Sequence, residues 1–321
     1  MSRVIACVVA LTLLAAGCGA RTSGAGQQAG GGPGAAGNVS AVASVFPLAW
    51  VAQQVAPEAT VELLNRGSQE AHDIELSPAQ RAATETSDVV LYLGDLDYQP
   101  QVEEATGSAG GQVVDVAEVA GEQRLRASNG DHPHEHDGED AHADEQTAVD
   151  PHVWFDAAVM ADVAQRTGEA FAEADPDNAD SYTANARAVA DEFTALEDQL
   201  DDLLGGKCRF DEAIVSHTAY AYLVAPRGKE LHGIGGVDPE AGASGGELAE
   251  LVAEVRDEGF THVLAEPVEG RRDAEALANE ADVELLDIYP LDAVTDEQAE
   301  TSFPDLVREQ AETFATAYGC S

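Results

Sequence analysis

The sequence predicts an α/β protein of two lobes, each a parallel sheet flanked by helices, joined by one long rigid spine helix. Two observations carry that expectation. Short apolar strand-like runs alternate with segments of helical composition, the pattern of βαβ units whose crossovers cover a parallel sheet. Near the middle, residues 175–204 read as one uninterrupted helix, after which the alternation resumes.

Val39–Val45 alternates like a strand and runs through Phe46-Pro47 into a helical Leu48–Val55. Strand-like runs follow at Thr60–Leu64, Val89–Leu93 and Gln112–Val116. Between them Ser77-Pro78 supplies the N-cap and first turn of a helix reaching Thr86. Residues 131–150 break the pattern with eight acids, four histidines and no Lys or Arg, and read as an inserted loop. Asp175-Pro176 opens the long helix and Gly205-Gly206 stops it; about 30 residues at 1.5 Å each span roughly 45 Å. Beyond it, Glu212–Val215, Thr261–Ala265 and Val283–Ile288 are strand-like, with helical Gly246–Glu258, Asp273–Glu280 and Phe303–Tyr318 between or after them. The expected organisation is an N-terminal lobe over 39–174, the linking helix over 175–206 and a C-terminal lobe over 207–321.

Ahead of the lobes the chain reads as an address. Arg3 precedes a thirteen-residue apolar run, Val4–Ala16, too short to span a bilayer, so residues 1–17 are expected to be a signal peptide. Leu14-Ala15-Ala16-Gly17-Cys18 is similar to a bacterial lipobox, with Cys18 as the lipidated first residue, although Leu14 stands one position further from the cysteine than usual. An ordinary secretory signal with an incidental cysteine is the alternative. Residues 18–38 then read as a flexible tether, with eight glycines between positions 19 and 37. With Cys7 in the signal and Cys18 taking lipid, Cys208 and Cys320 remain as an even pair in an oxidising compartment. A disulfide between them is expected, two buried thiols being the other reading.

Charge excludes one class of partner. The 321 residues carry 60 Asp and Glu against 16 Lys and Arg, a net charge of −44, and such a surface repels a phosphate backbone, so no nucleic-acid partner is expected.

The nine histidines carry the chemistry. His132, His134, His136 and His142 lie in the acidic loop, where imidazoles and carboxylates together can trap metal ions; a solvated loop with no metal role is the bland reading. His72, His152 and His217 each follow an apolar segment or sit in a loop leading to a helix, where ligands bind in doubly wound sheets. Any one alone is more simply a hydrogen-bonded loop or core residue; three in one kind of position shift the balance toward a metal site. His232 and His262 are read as structural, His262 lying inside a strand pattern.

Glu-Ala-His-Asp-Ile-Glu-Leu-Ser-Pro at 70–78, Val-Asp-Pro-His-Val-Trp-Phe-Asp at 149–156 and Val-Ser-His-Thr-Ala-Tyr-Ala-Tyr-Leu at 215–223 resemble the three metal-ligand motifs of zinc/manganese solute-binding lipoproteins of ABC importers. The resemblance covers nearly all of the chain beyond the signal and includes the long helix with Tyr182 and Asn185 near its start and the terminal Gly-Cys. It implies metal held between two lobes, with His72 and His152 from the first and His217 from the second. The family often places a fourth, acidic ligand after the last strand just before a Pro or Ser. Here that slot is Tyr289, and Asp287 two residues earlier shares its side of a strand. Glu266, in Ala265-Glu266-Pro267, is the next candidate and water the third. Manganese-type members carry an acid where His217 stands, and three imidazoles suit four-coordinate zinc, so Zn²⁺ is expected as cargo ahead of Mn²⁺.

The resemblance further implies a monomer anchored by N-terminal lipid on the extracytoplasmic face of the bacterial membrane, handing Zn²⁺ to an ABC permease with its cytoplasmic ATPase. Competing readings are a surface adhesin or zinc buffer on the same fold, and a zinc hydrolase. The hydrolase is disfavoured because no His-Glu-x-x-His run and no obvious general base accompany the histidines, so no enzymatic activity is expected.

Overall fold

The computed structural model describes residues 39–65, 71–72, 74–96, 98–127, 149–234, 242–267 and 270–321, which belong to one compact unit. The expected signal peptide, Cys18, the tether and all four loop histidines lie outside the described residues, as do Glu70 and Asp73 of the first motif.

The first half builds β1 (Ser40–Ala43), α1 (Phe46–Val55), β2 (Thr60–Leu63), α2 (Pro78–Thr86), β3 (Val89–Tyr92), α3 (Pro100–Thr106), β4 (Gln112–Asp115) and α4 (Val116–Ala120). Two long helices follow, α5 (Ala157–Ala174) and α6 (Ala179–Leu204). The second half continues with β5 (Glu212–Val215), α7 (Ala221–Val224), β6 (Glu230–Gly233), α8 (Gly245–Glu258), β7 (His262–Ala265), α9 (Arg271–Ala281), β8 (Glu284–Asp287) and α10 (Phe303–Tyr318). Among the described residues there are two four-stranded sheets, ordered β2-β1-β3-β4 and β6-β5-β7-β8, with every pairing parallel. Each half therefore winds outward from its first strand and reverses between its first and third strands. That reversal leaves a crevice at the carboxyl ends of β1 and β3 in one sheet and of β5 and β7 in the other.

Local chemistry sets the boundaries. Ser77 caps α2 in a reciprocal box with Gln80: its hydroxyl accepts the Gln80 amide at 3.3 Å, and Gln80 Oε1 accepts the Ser77 amide at 3.0 Å. The long helix starts later than its sequence suggests. Asp175 accepts hydrogen bonds from Asn178 Nδ2 at 2.7 Å and the Tyr182 hydroxyl at 2.9 Å, winding residues 176–178 into a separate 3₁₀ turn. What remains, 26 residues, spans about 39 Å. The inserted loop is closed at its base by an antiparallel bridge between Ala127 and Val149.

One apolar core runs through both halves. Trp50 of α1, Phe193 of α6 and Phe303 of α10 meet with ring centroids 5.9–6.4 Å apart, and Phe46 joins Phe303 at 6.4 Å. The spine helix is thus pinned by a helix of each half, with aromatic contacts adding to the burial. Against α5 it approaches closely: a Cβ at Gly168 would stand 2.5 Å from the Ala186 Cβ, so this crossing requires glycine. On the far side the buried Arg227 side chain reaches Glu197 Oε1 at 2.7 Å and Asp201 Oδ1 at 3.0 Å, both on α6. The expected disulfide joins Cys208 to Cys320, fastening the end of α10 to the approach to β5. No helix among the described residues is long and apolar enough to cross a membrane.

Candidate metal centre

His217 follows β5 directly and Glu266 follows β7, so both stand in the crevice where the second sheet reverses. Their side chains are nearly inaccessible, and His217 Nδ1 lies 2.7 Å from Glu266 Oε1. Glu266 is fixed in turn by the Tyr220 hydroxyl, which donates to the same oxygen at 2.9 Å, and its backbone amide donates to Ser216 Oγ at 3.2 Å. A carboxylate only accepts, so in the neutral ring, the form that can bind metal, Nδ1 carries the proton and Nε2 the lone pair. That Nε2 is buried and makes no hydrogen bond among the described residues. An unsatisfied buried acceptor is costly and calls for a partner, which a metal ion supplies.

His152 repeats the arrangement in the other half. Asp150 Oδ1 lies 2.7 Å from His152 Nδ1 and also accepts the His152 amide at 3.0 Å, a turn in which an Asp side chain binds the backbone two residues on. The turn is clamped across the halves: the Tyr222 hydroxyl donates to the Asp150 carbonyl at 3.0 Å and accepts the Arg126 amide at 2.9 Å. Next to it Trp154 donates its indole N–H to the Pro290 carbonyl at 2.8 Å.

His72, after β2, is half-buried and packs edge-on against Tyr98 at 4.7 Å. The rings form a chain, His72 to His152 at 5.5 Å and His152 to His217 at 5.4 Å between centroids. Imidazoles sharing one zinc at about 2.0–2.1 Å per bond with tetrahedral angles place their centroids roughly 5 Å apart. The three histidines expected from sequence are therefore brought together at metal-sharing separations, each neighbouring pair in turn.

Electrostatics fit a cation. Burial alone would lower the His217 pKa, but the charge and hydrogen bond of Glu266, reinforced by Asp292 and Asp150, override it and hold the imidazole above its ordinary value. The carboxylates that favour a proton on this ring favour a metal ion beside it for the same reason.

The acidic candidates are placed differently from their expected roles. Asp287 ends β8, the edge strand, with its side chain exposed and 2.6 Å from Arg271 Nη1 of α9. It shares its side of the strand with Leu285, which packs into the cluster under α8 and α9. That side is the one on which α8 and α9 lie, and β5, which delivers His217, is two strands away. Glu266 is in the crevice, with Oε1 shared by His217 and Tyr220. An acid that the sequence reading missed, Asp292, comes to the cluster: the Tyr98 hydroxyl donates to Asp292 Oδ2 at 3.5 Å, and the Asp292 backbone carbonyl accepts the Phe46 amide at 2.8 Å. Its charge acts on His217. The signal was an acid two residues beyond Pro290; counting from the strand end alone passes over it. Leu291, buried and with φ of 63°, makes the left-handed turn that redirects the chain after Pro290.

Residues 41–317 match the family described as "Zinc-uptake complex component A periplasmic". Zinc-binding protein AdcA of Streptococcus pyogenes serotype M3 is 25% identical over 290 residues, which cover 87% of this chain and 56% of AdcA, so the chain spans little more than half of that relative. The high-affinity zinc uptake system protein ZnuA of Bacillus subtilis is 25% identical over 298 residues, covering 91% of this chain and 89% of ZnuA. Among solved structures, Zn(II)-bound AdcA from Streptococcus pneumoniae superposes with a TM-score of 0.71 at 20% identity, over 88% of this chain and 58% of that one. The laminin-binding protein Lmb of Streptococcus agalactiae, described as bifunctional with adhesin and metal-transporting activity, gives 0.70 at 21% identity over 88% and 100%. These likenesses show the two-lobed fold.

Proposed function

The chain belongs to the periplasmic zinc-uptake complex component A family, and from that premise we propose that it is an extracytoplasmic binding protein that captures Zn²⁺ and delivers it to an ABC-type permease and its ATPase. The ligand set we propose is His72, His152 and His217 through their imidazoles, with Asp292 in place of Asp287 as the fourth. The observation that carries the reading is the chain of three imidazoles at 5.5 and 5.4 Å, two with Nδ1 against a buried carboxylate. Such carboxylates fix the ring orientation and raise ligand basicity. Three nitrogens and one oxygen suit four-coordinate Zn²⁺ better than Mn²⁺, which prefers harder oxygen ligands.

A zinc hydrolase needs a carboxylate free to activate the metal-bound water. Both Asp150 and Glu266 are engaged with ligand imidazoles, which supports capture over catalysis. Surface adhesion is a second reading, favoured by the likeness to Lmb, whose description includes adhesin activity. Signal removal after Gly17, lipid on Cys18 and a monomeric chain on the outer face of the cell membrane complete the proposal; they rest on the N-terminal sequence and the family's periplasmic description.

The test is metal analysis of the purified chain, followed by titration of Zn²⁺ against Mn²⁺. One tightly held Zn²⁺, lost in His152→Ala and His217→Ala and not displaced by equimolar Mn²⁺, is the expected result. Preferential Mn²⁺ binding, or undiminished Zn²⁺ affinity in both variants, would overturn it.

A further inference from the structure

Glu212, His232 and Glu254 form a second cluster with no part in the crevice. Glu212 opens β5, at the opposite end of that strand from His217, while His232 lies on the neighbouring β6 and Glu254 on α8. In the register of the sheet His232 stands beside Ile214. Ile214 and Ile234 face α8, so His232, two residues before Ile234, points to the same helix. Glu254 neighbours the buried Val255, at the margin of that packed face, and comes down onto the imidazole.

The donor atoms converge. His232 Nδ1 lies 3.2 Å from Glu254 Oε1 and 3.7 Å from Glu212 Oε1, and one ligand atom from each residue lies within 4.8 Å of the other two. Ligands around a tetrahedral zinc at bonds of about 2.0–2.2 Å sit roughly 3.3–3.6 Å from one another. All three side chains are half-buried, which holds their rotamers while leaving the outer side open to water. Charge points the same way. A protonated imidazole between two carboxylates leaves one negative charge uncompensated, whereas a dication on a neutral imidazole balances both. The chain's net charge of −44 raises the local concentration of dications everywhere on its surface, but here a nitrogen donor joins the oxygens.

We propose that Glu212, His232 and Glu254 form a second divalent-cation site, taking Zn²⁺ through one nitrogen and two carboxylates with water completing the coordination. Binding there uses the neutral tautomer of His232 that keeps its proton on Nε2 and turns the Nδ1 lone pair toward the two carboxylates. The site stands on a sheet and a helix rather than in a loop, and it does not depend on the reading of the crevice.

The test follows the His232 side-chain signals by long-range ¹H–¹⁵N NMR on the full chain, assigned by their disappearance in His232→Gln. Zn²⁺ is added beyond the first equivalent. His232 should shift with its own saturation curve, and Glu254→Gln should weaken that curve at least tenfold while the His217 signals respond as in the wild type. The His232 response should also persist in His152→Ala, which separates this site from the crevice. Since Glu254 lies at the margin of the packed face of α8 and is only half-buried, its variant keeps the test available if Glu212→Gln folds poorly. A His232 signal unmoved by excess Zn²⁺, or one that responds identically in Glu254→Gln, would overturn the proposal.

Discussion

Glu266 stands 2.7 Å from His217 Nδ1 with both side chains almost wholly buried, so the two share one charge state as well as one contact. The folded-state pKa of His217 is raised, so a proton is retained to a higher pH than on an ordinary imidazole near 6.5. In the metal-free protein this ion pair adds stability that is fully present below the unfolded value and is lost as pH rises through the folded one.

Metal and proton compete for the same ring, so Zn²⁺ affinity should begin to fall on acidification above pH 6.5, with each protonated ligand contributing up to tenfold per pH unit. Glu266→Gln removes the charge that raises His217. The variant should bind Zn²⁺ at least tenfold more weakly at pH 8, yet its acid loss should start at lower pH than in the wild type. Competition titrations from pH 5.5 to 8 measure both effects; an unchanged onset would rule out Glu266 as its cause.

The fourth ligand is decided by two substitutions made side by side. Asp292→Asn should cost at least tenfold in Zn²⁺ affinity, while Asp287→Asn, which removes only an exposed partner of Arg271, should leave it within about twofold. Isothermal titration at pH 7.5 reads both, and a reversed pattern would restore Asp287 to the site.

Removing the Cys208–Cys320 disulfide should destabilise the fold by about 2–5 kcal/mol, because it closes a loop with a sequence separation of 112. Denaturant unfolding of the double serine variant gives the number. Thiol labelling of the denatured, unreduced wild type should find neither cysteine free.

Arg227 presents a buried guanidinium to two acids on α6, and Arg227→Ala strands those acids and opens a gap at the spine. Since Glu197 and Asp201 remain partly solvated, a loss of about 2–3 kcal/mol is expected, below the range for fully buried pairs. Guanidinium unfolding measures it, and Zn²⁺ affinity at the unperturbed crevice should stay within twofold.

The sequence showed most clearly what repeats with a period. Runs such as Val89–Leu93 and Phe303–Tyr318 state their faces through alternation or helical spacing, and the structure finds strand and helix there. β6 was not legible: Glu-Leu-His-Gly offers one large apolar residue in four, and only pairing with β5 makes it a strand. The start of α5 is set by Asp156, which caps it by accepting the Val159 amide at 3.0 Å, a signal that a lone Asp does not make plain in sequence. In the candidate site, His72, His152 and His217 were readable because each stands in a short motif of its own. Asp292 was not, because its position depends on the left-handed turn at Leu291, a backbone conformation that a leucine does not announce. The engagement of Asp287 by Arg271 is likewise a tertiary fact, joining a strand end to the first turn of a separate helix.

The aromatic junction of Trp50, Phe193 and Phe303 also bears on how cargo leaves. With both halves stapled to one helix, a wide hinge motion has to break that packing, so ligand exchange is better carried by the periphery of the crevice. Of the three imidazoles, those of His152 and His217 are sealed and His72 is partly open to solvent. In the ligand set proposed above, His72 is then the position that water reaches first, ahead of the two inner nitrogens. On that proposal residence time would follow one outer bond, and a transporter offering a competing donor at that edge would set the rate of unloading.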